Sequence, residues 1–352
     1  MKTIDRTLAK AAAMERIDKE EGLALFQEGD LLTLARLAEK RRFHLHPDRI
    51  VTYVVDRNIN YTNICVSGCR FCAFYKTPES RKGYVISKQE LSTKIDETIA
   101  LGGTQILLQG GMHPDLDLDF YTGLLEHIKE NHRIHIHGFS PPEIFFLAEK
   151  AGLSVVETIT VLKRAGLDSI PGGGAEILCD DIRSQVSPNK CSAAQWLDVM
   201  EKAHEQGLRS SATMMFGHLE QPFHLFEHLE SIRSLQDRTK GFTAFIPWTF
   251  QPDNTKIRVE KTGAVAYLRL LALARIFLDN VDNIQASWVT QGDKIAQTAL
   301  FYGANDMGST MIEENVVSSA GVDFMLSREE LQRLITEAGF QQQQRDCFYN
   351  FL

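Results

Sequence analysis

Val51-Thr52-Tyr53-Val54-Val55 runs through a short polar segment into Ile64-Cys65-Val66-Ser67-Gly68-Cys69-Arg70-Phe71-Cys72-Ala73-Phe74. An unbroken β-branched and aromatic run of this kind reads as a strand buried on both faces of a parallel sheet. The cysteines after it are spaced C-x3-C-x2-C. A closed structural zinc site takes four ligands, normally as two knuckles, and no second C-x2-C pair occurs. A 4Fe-4S cluster held by three thiolates leaves one iron open to an outside ligand. The trio Cys65, Cys69 and Cys72 therefore reads as the cradle of a reactive cluster, with a zinc site completed by a distant residue such as His113 or Cys179 as the alternative.

Downstream, strand-like runs recur at Thr104 to Leu108, Ile134 to His137, Leu167 to Ile170, Ser210 to Phe216, Phe242 to Phe250, Ile284 to Val289 and Asp306 to Met311. Amphipathic stretches such as Lys88 to Ala100, Leu118 to Lys129, Pro142 to Ala151 and Ala193 to Gln206 lie between them. With the first run this makes eight strands alternating with helices, the number that closes an α/β barrel of the (β/α)8 TIM type. The expected organisation is a helical extension over 1–50, the barrel with its C-terminal helices over 51–340, and a tail over 341–352. Polar and glycine-rich motifs follow the strands: Gly110-Gly111-Met112-His113-Pro114, Pro171-Gly172-Gly173-Gly174-Ala175-Glu176 and Gly217-His218-Leu219-Glu220. Strand C-termini form the catalytic face of such a barrel, and the cysteine loop opens on it.

The chain has 352 residues, 43% of them hydrophobic, enough for one large core. With 38 basic against 46 acidic residues the net charge is -8, which argues against a nucleic-acid partner. The charged N-terminus lacks the apolar core of a signal peptide and no stretch has the length of a membrane span, so a cytoplasmic location is expected. Six cysteines, three of them scattered as Cys179, Cys191 and Cys347, make no disulfide framework.

Gly110 and Gly111 allow a backbone to approach a ligand closely. The triplet Gly172 to Gly174, with Gly173 at its centre, costs backbone entropy that a ligand or close packing would justify, and Glu176 after it suits ribose hydroxyls or an ammonium group. His135 and His137, two apart in a strand, share a face. One of them reads as a hydrogen-bonded neutral imidazole lining the barrel interior or the site, ahead of a metal pair, since no third ligand of matching spacing is evident. His218 and Glu220 repeat that spacing at a strand end, where acid-base work is reasonable. Asn58, Asn60 and Asn63 are candidates to tune a cluster or cofactor, or plain turn residues. Asp293, Asn305, Asp306, Glu313, Glu314 and Asn315 suit a sugar or serve as helix caps.

Cys65-x3-Cys69-x2-Cys72, with Phe71 before the last cysteine, resembles the signature of the radical S-adenosylmethionine enzymes. Asn58 to Asn63, Gln109 to Pro114, Ser169 to Glu176, Thr213 to His218 and Phe245 to Pro252 narrow the likeness to the futalosine branch, which serves menaquinone synthesis. His135 to Ser140 and Asn305 to Met311 resemble its ring-closing member, whereas the sister enzyme adds a radical to an enolpyruvyl benzoate. The resemblance implies a 4Fe-4S cluster on the three cysteines and S-adenosylmethionine held by Phe71, Gly110, Gly111, Gly173 and Glu176. It also implies dehypoxanthine futalosine as substrate, an electron donor such as a flavodoxin or ferredoxin, and a base for the last proton, for which His218, Asp293 and Glu314 are the candidates. The stretch Gln221-Pro222-Phe223-His224 departs from the expected small polar and basic residues.

Overall fold

The computed structural model describes residues 3–352. Three helices, Thr3–Ala12, Lys19–Glu28 and Leu31–Leu45, precede the first strand. Leu31–Leu45 packs on the helix Ala264–Phe277 of the barrel wall, burying Leu34, Ala35 and Ala38 in the common core.

Ten strands follow: β1 Ile50–Val54, β2 Asp56–Asn60, β3 Gln105–Gln109, β4 His135–Gly138, β5 Ser169–Ile170, β6 Arg209–Phe216, β7 Phe242–Thr249, β8 Asn283–Ile284, β9 Asp306–Ser309 and β10 Gln341–Gln344. Strands β2 to β8 form one sheet in sequence order, and β10, β1 and β9 form another; every pairing is parallel. Only Val55 separates β1 from β2, so Ile50 to Asn60 is one stave shared by both sheets. The ring closes through backbone bonds: Asn305 N–H donates to Ile284 O at 3.1 Å, Ala286 N–H to Asp306 O at 2.8 Å and Ile312 N–H to Asp56 O at 3.1 Å. The staves are the Ile50 to Asn60 stretch and β3 to β9, each feeding a helix that packs back on the ring, and the molecule is a (β/α) barrel with an N-terminal helical extension.

The first stave runs past its apolar start into Asp56, Arg57, Asn58 and Asn60, which are all buried. A hydrophobic pattern misses that half because its inward positions line a polar interior. The run expected over Ile284 to Val289 is extended only at its start, and Trp288–Gln291 is a helical turn. There the Ser287 N–H bonds the Tyr267 hydroxyl at 2.7 Å and the Trp288 indole donates to Ser309 O at 2.9 Å. Four consecutive glutamines form β10, which pairs with β1 from Ile50↔Gln341 to Tyr53↔Gln344. The residues beyond it fold under the barrel, where Arg345 and Cys347 are buried.

Candidate active site

The cysteine loop is pinned by its backbone. Cys65 N–H donates to Lys76 O at 2.9 Å, Val66 N–H to Met112 O at 3.0 Å and Arg70 N–H to Val186 O at 2.8 Å. The Met112 N–H points at Cys65 Sγ (3.3 Å), and Ser67 Oγ lies 2.9 Å from Cys69 Sγ. Burial pushes all three thiols above their ordinary pKa, partly offset by Lys190, and each feels the charge of another: Cys72 on Cys65, Cys65 on Cys69 and Cys69 on Cys72. The three thus lie within electrostatic reach of one another. Among the described residues no group of three or more His, Cys, Asp or Glu closes on a single ion. A cubane is wider than one ion, so three pinned thiols with a backbone N–H on one sulfur fit a cluster whose fourth corner is left to a ligand.

Gly110 and Gly111 abut this loop. The Gly110 N–H donates to Glu143 Oε1 at 3.0 Å, and the Tyr61 hydroxyl donates to the same oxygen at 2.7 Å. The other carboxylate oxygen accepts the Ser140 N–H at 2.8 Å, completing a capping box at the start of the helix Pro141–Ala151. Glu143 thereby ties the glycine turn to a helix terminus. A Cβ on Gly111 would lie 2.1 Å from Ile64 O, so only glycine permits this contact with the cysteine loop.

On the opposite rim a Cβ on Gly172 would lie 2.7 Å from Ser211 O and one on Gly173 2.5 Å from Gln109 Nε2. The Trp196 indole donates to Gly173 O at 3.1 Å. Glu176 sits at φ 43° and holds Lys190 at 2.9 Å and Arg183 at 3.4 Å. Lys190 Nζ also stands 5.1 Å from the centre of the Phe71 ring. Burial pulls the Lys190 ammonium down, but Cys69 and Glu176 outweigh it and raise its pKa, so a fixed positive charge sits beside the thiols. Phe71, Glu176 and the cysteines are thus joined through a lysine that sequence spacing did not mark. Glu143 was legible only as the end of a Ser-Pro-Pro-Glu capping pattern.

Below the rim the barrel encloses a chamber of about 280 Å³, lined among others by Asn58, Gln109, His137, Trp248, Trp288 and Glu314. Asn58 and Gln105, both in its wall, each carry a buried side-chain oxygen without a hydrogen-bond partner among the described residues. Asn60 and Asn63 are engaged elsewhere: Asn60 Oδ1 accepts from Asn315 at 3.2 Å and Asn63 Oδ1 from the Tyr84 N–H at 3.0 Å.

The three expected bases are placed apart. Glu314 lines the chamber, and its carboxylate accepts the N–H groups of Val316, Val317 and Ser318 at 2.9, 2.8 and 2.9 Å. Burial still pushes its pKa up. The His218 side chain is sealed behind the wall, with Nδ1 accepting the Leu219 N–H at 2.7 Å and Nε2 donating to Met215 O at 3.1 Å. Burial lowers its pKa, opposed by the Glu220 carboxylate 3.1 Å from Nδ1. Asp293 begins the helix Asp293–Ala299, off the chamber wall.

Comparison with known proteins agrees with this geometry. A model described as the radical SAM superfamily matches residues 59–232, and one described as the CofH/MqnC C-terminal region matches residues 239–352. The chain is 44% identical over 352 residues to a cyclic dehypoxanthine futalosine synthase of Halalkalibacterium halodurans, covering 99% of this chain and 95% of that one. It is 43% identical over 350 residues to the enzyme of that name from Streptomyces coelicolor, covering 98% and 88%. It is also 43% identical over 324 residues to a 5-amino-6-(D-ribitylamino)uracil–L-tyrosine 4-hydroxyphenyl transferase of Archaeoglobus fulgidus, covering 90% and 93%. Among solved structures the FeFe-hydrogenase maturase HydG of Carboxydothermus hydrogenoformans superposes with TM-score 0.78 at 17% identity, over 98% of this chain and 80% of that one, a likeness of fold.

Proposed function

We propose, for a chain that belongs to the radical SAM superfamily, that it converts dehypoxanthine futalosine to its cyclic form on the way to menaquinone. The carrying observation is near full-length identity of 44% to a synthase of that name, joined to three pinned thiols in the loop that follows the first stave of the barrel. Held by this chain, a 4Fe-4S cluster and S-adenosylmethionine would supply one-electron chemistry: an acceptor for a substrate hydrogen atom and a sink for the electron released when the ring regains aromaticity. A hydrogen leaves the ribose C4', the carbon radical adds to the benzoate ring, and loss of an electron and a proton completes the product.

The protein's part is to bind, orient and exclude water. Cys65, Cys69 and Cys72 hold the cluster. Gly110, Gly111, Gly173, Glu176 and Phe71 receive S-adenosylmethionine, with Glu143 fixing the Gly110 turn. Trp248 and Trp288 in the chamber wall pack the benzoate. Among the candidate bases Glu314 reaches the chamber, but with three backbone N–H groups on its carboxylate its proposed task is to shape the Glu314 to Ser318 turn that walls the substrate. A small iron-sulfur or flavin protein such as a ferredoxin or flavodoxin supplies electrons, and the enzyme works in the cytoplasm. No helix among the described residues is long and apolar enough to cross a membrane.

The transferase relative gives the second reading, tyrosine with a ribitylaminouracil as substrates. Anaerobically reconstituted protein is incubated with C4'-deuterated dehypoxanthine futalosine and, separately, with that pair. Deuterium in 5'-deoxyadenosine together with cyclic product is the expected result; turnover of the tyrosine pair alone rejects the proposal.

A further inference from the structure

Ring closure leaves one proton to remove; Glu314 is occupied by three backbone N–H groups, and His218 and Asp293 do not line the chamber. Deeper in the barrel, His137 lines the chamber. Complete burial lowers its pKa to about 3, so the ring is neutral. Its Nε2 lies 3.4 Å from Ser211 Oγ, and Ser211 Oγ accepts the Gly172 N–H at 3.1 Å, which leaves the hydroxyl proton free for Nε2. Nε2 is then the acceptor nitrogen and Nδ1 bears the hydrogen. Nδ1 is 2.7 Å from Ser169 Oγ. A serine hydroxyl has one proton: Ser169 Oγ, having accepted from His137, lies 2.7 Å from His135 Nε2 and 3.3 Å from Cys347 Sγ, and the shorter contact takes its proton while the Cys347 thiol donates to Oγ. His135 is less buried than His137 and its ring meets the edge of Phe348 at 5.1 Å, a residue 43% exposed on the C-terminal tail. Burial lowers the His135 pKa, with Asp168 and Asp346 opposing that shift and Lys129 adding to it, so this ring too rests neutral and can take a proton at Nε2. Hydrogen bonds therefore run in one direction from the chamber to the underside of the barrel.

We propose that His137 is the catalytic acceptor of the proton lost by the aromatic ring, and that Ser169 and His135 conduct it out through the floor. The proposal rests on the ring-closing reaction above. The C–H bond at the attacked ring carbon breaks, its proton goes to the His137 Nε2 lone pair, and the one electron left on the ring would go to the iron-sulfur cluster that Cys65, Cys69 and Cys72 would hold, the one-electron acceptor of the proposed reaction. The Nδ1 proton of His137 passes to Ser169 Oγ, the Ser169 proton to His135 Nε2, and the Nδ1 proton of His135 to water. No charge is stranded in the barrel.

The test compares unaltered protein with His137→Gln, Ser169→Ala, Ser169→Thr and His135→Gln, all reconstituted anaerobically, by the ratio of 5'-deoxyadenosine to cyclic product. A ratio near one is expected for the unaltered protein and for Ser169→Thr. A rise of about tenfold or more is expected for His137→Gln and a smaller rise for Ser169→Ala and His135→Gln, since hydrogen abstraction survives while completion stalls. In 15N-histidine-labelled protein without cofactors, His137 is expected to be protonated at Nδ1, with that preference weakened in Ser169→Ala. Absence of cyclic product from unaltered protein overturns the reaction, and with it this inference. Product from unaltered protein with unchanged ratios in the variants, or His137 protonated at Nε2, overturns the relay alone; if His137→Gln does not fold, Ser169→Ala and His135→Gln decide.

Discussion

The two ends of the barrel are built on opposite principles. At the mouth, groups with chemistry to offer come from short segments: three cysteines within eight residues, a glycine pair and a glycine triplet. At the floor, partners come from far apart. Arg345 reaches Asp306 through two bonds of 2.6 and 2.9 Å, Asp306 also accepts from the Thr52 hydroxyl at 2.5 Å and the Gly308 N–H at 2.8 Å, and the Arg345 guanidinium covers the Tyr349 ring at 3.9 Å. A mouth that must receive ligands spends its backbone donors on pinning the cysteine loop and the Gly110 turn, and leaves the three thiols, among the described residues, without a cation bonded to them. At the floor the buried Arg345 and Asp306 are each given an opposite charge as partner.

Cysteine replacement is the largest way to break this contrast. Cys69→Ala is expected to lose the cluster and to cut 5'-deoxyadenosine formation at least about a thousandfold, some 4 kcal/mol in barrier terms, with the fold intact by circular dichroism. Iron, sulfide and zinc analysis of protein purified without oxygen checks it, and zinc in place of iron would undo the reading of the mouth.

At the floor the loss falls on stability. Arg345→Met leaves Asp306 buried without its cation and is expected to cost about 3–5 kcal/mol in urea unfolding. Joint replacement, Arg345→Met with Asp306→Leu, is expected to recover much of that. Equal unfolding midpoints for the single variant and the unaltered protein would mean that the floor is not held by this pair.

Acid sharpens the comparison, because burial keeps several histidines neutral. His137 and His228 are lowered to about 3 and His204 to about 4, against an unfolded value near 6.5. Between those values the unfolded chain binds protons that the folded chain refuses, so stability rises with pH there and is lost as pH falls from about 6.5 toward 4. Each histidine contributes roughly 1.4 kcal/mol per pH unit across its window. Unfolding midpoints at pH 7 and pH 5 measure it, and equality of the two contradicts burial of these rings in neutral form.

The smallest expected effect returns to the mouth. Glu143→Gln keeps the shape of the side chain but removes the charge that holds the Gly110 N–H and the Tyr61 hydroxyl. A rise of about tenfold in the dissociation constant for S-adenosylmethionine is expected, near 1.4 kcal/mol, with iron content unchanged. Lost iron instead would make Glu143 a support of the cysteine loop.

The alternation of strands and helices was legible because buried parallel strands are apolar runs and their helices are amphipathic. Where a strand faces the chamber the signal fades: Asp56 to Asn60 is wholly buried yet polar. No propensity marks the four glutamines of β10, which are ordered by pairing with β1. The cysteine trio and the glycine turns were legible because metal ligation and close backbone approach impose residue types at short spacing. Lys190, which lies 14 residues from Glu176 in the chain, has no such pattern. His218 and Asp293 looked as apt as Glu314 because residue type does not reveal whether a side chain faces a cavity or a backbone carbonyl.

By itself, then, the sequence determined the barrel and the radical SAM family, and it singled out three cysteines proposed to hold the cluster, since each follows from local periodicity or from residue spacing. Only the tertiary structure decided which polar residues share the chamber, that the C-terminal tail seals its floor, and that His135 and His137 are joined through Ser169. Those facts depend on contacts between strands more than thirty residues apart, where the chain's local preferences carry no information and packing chooses the neighbours.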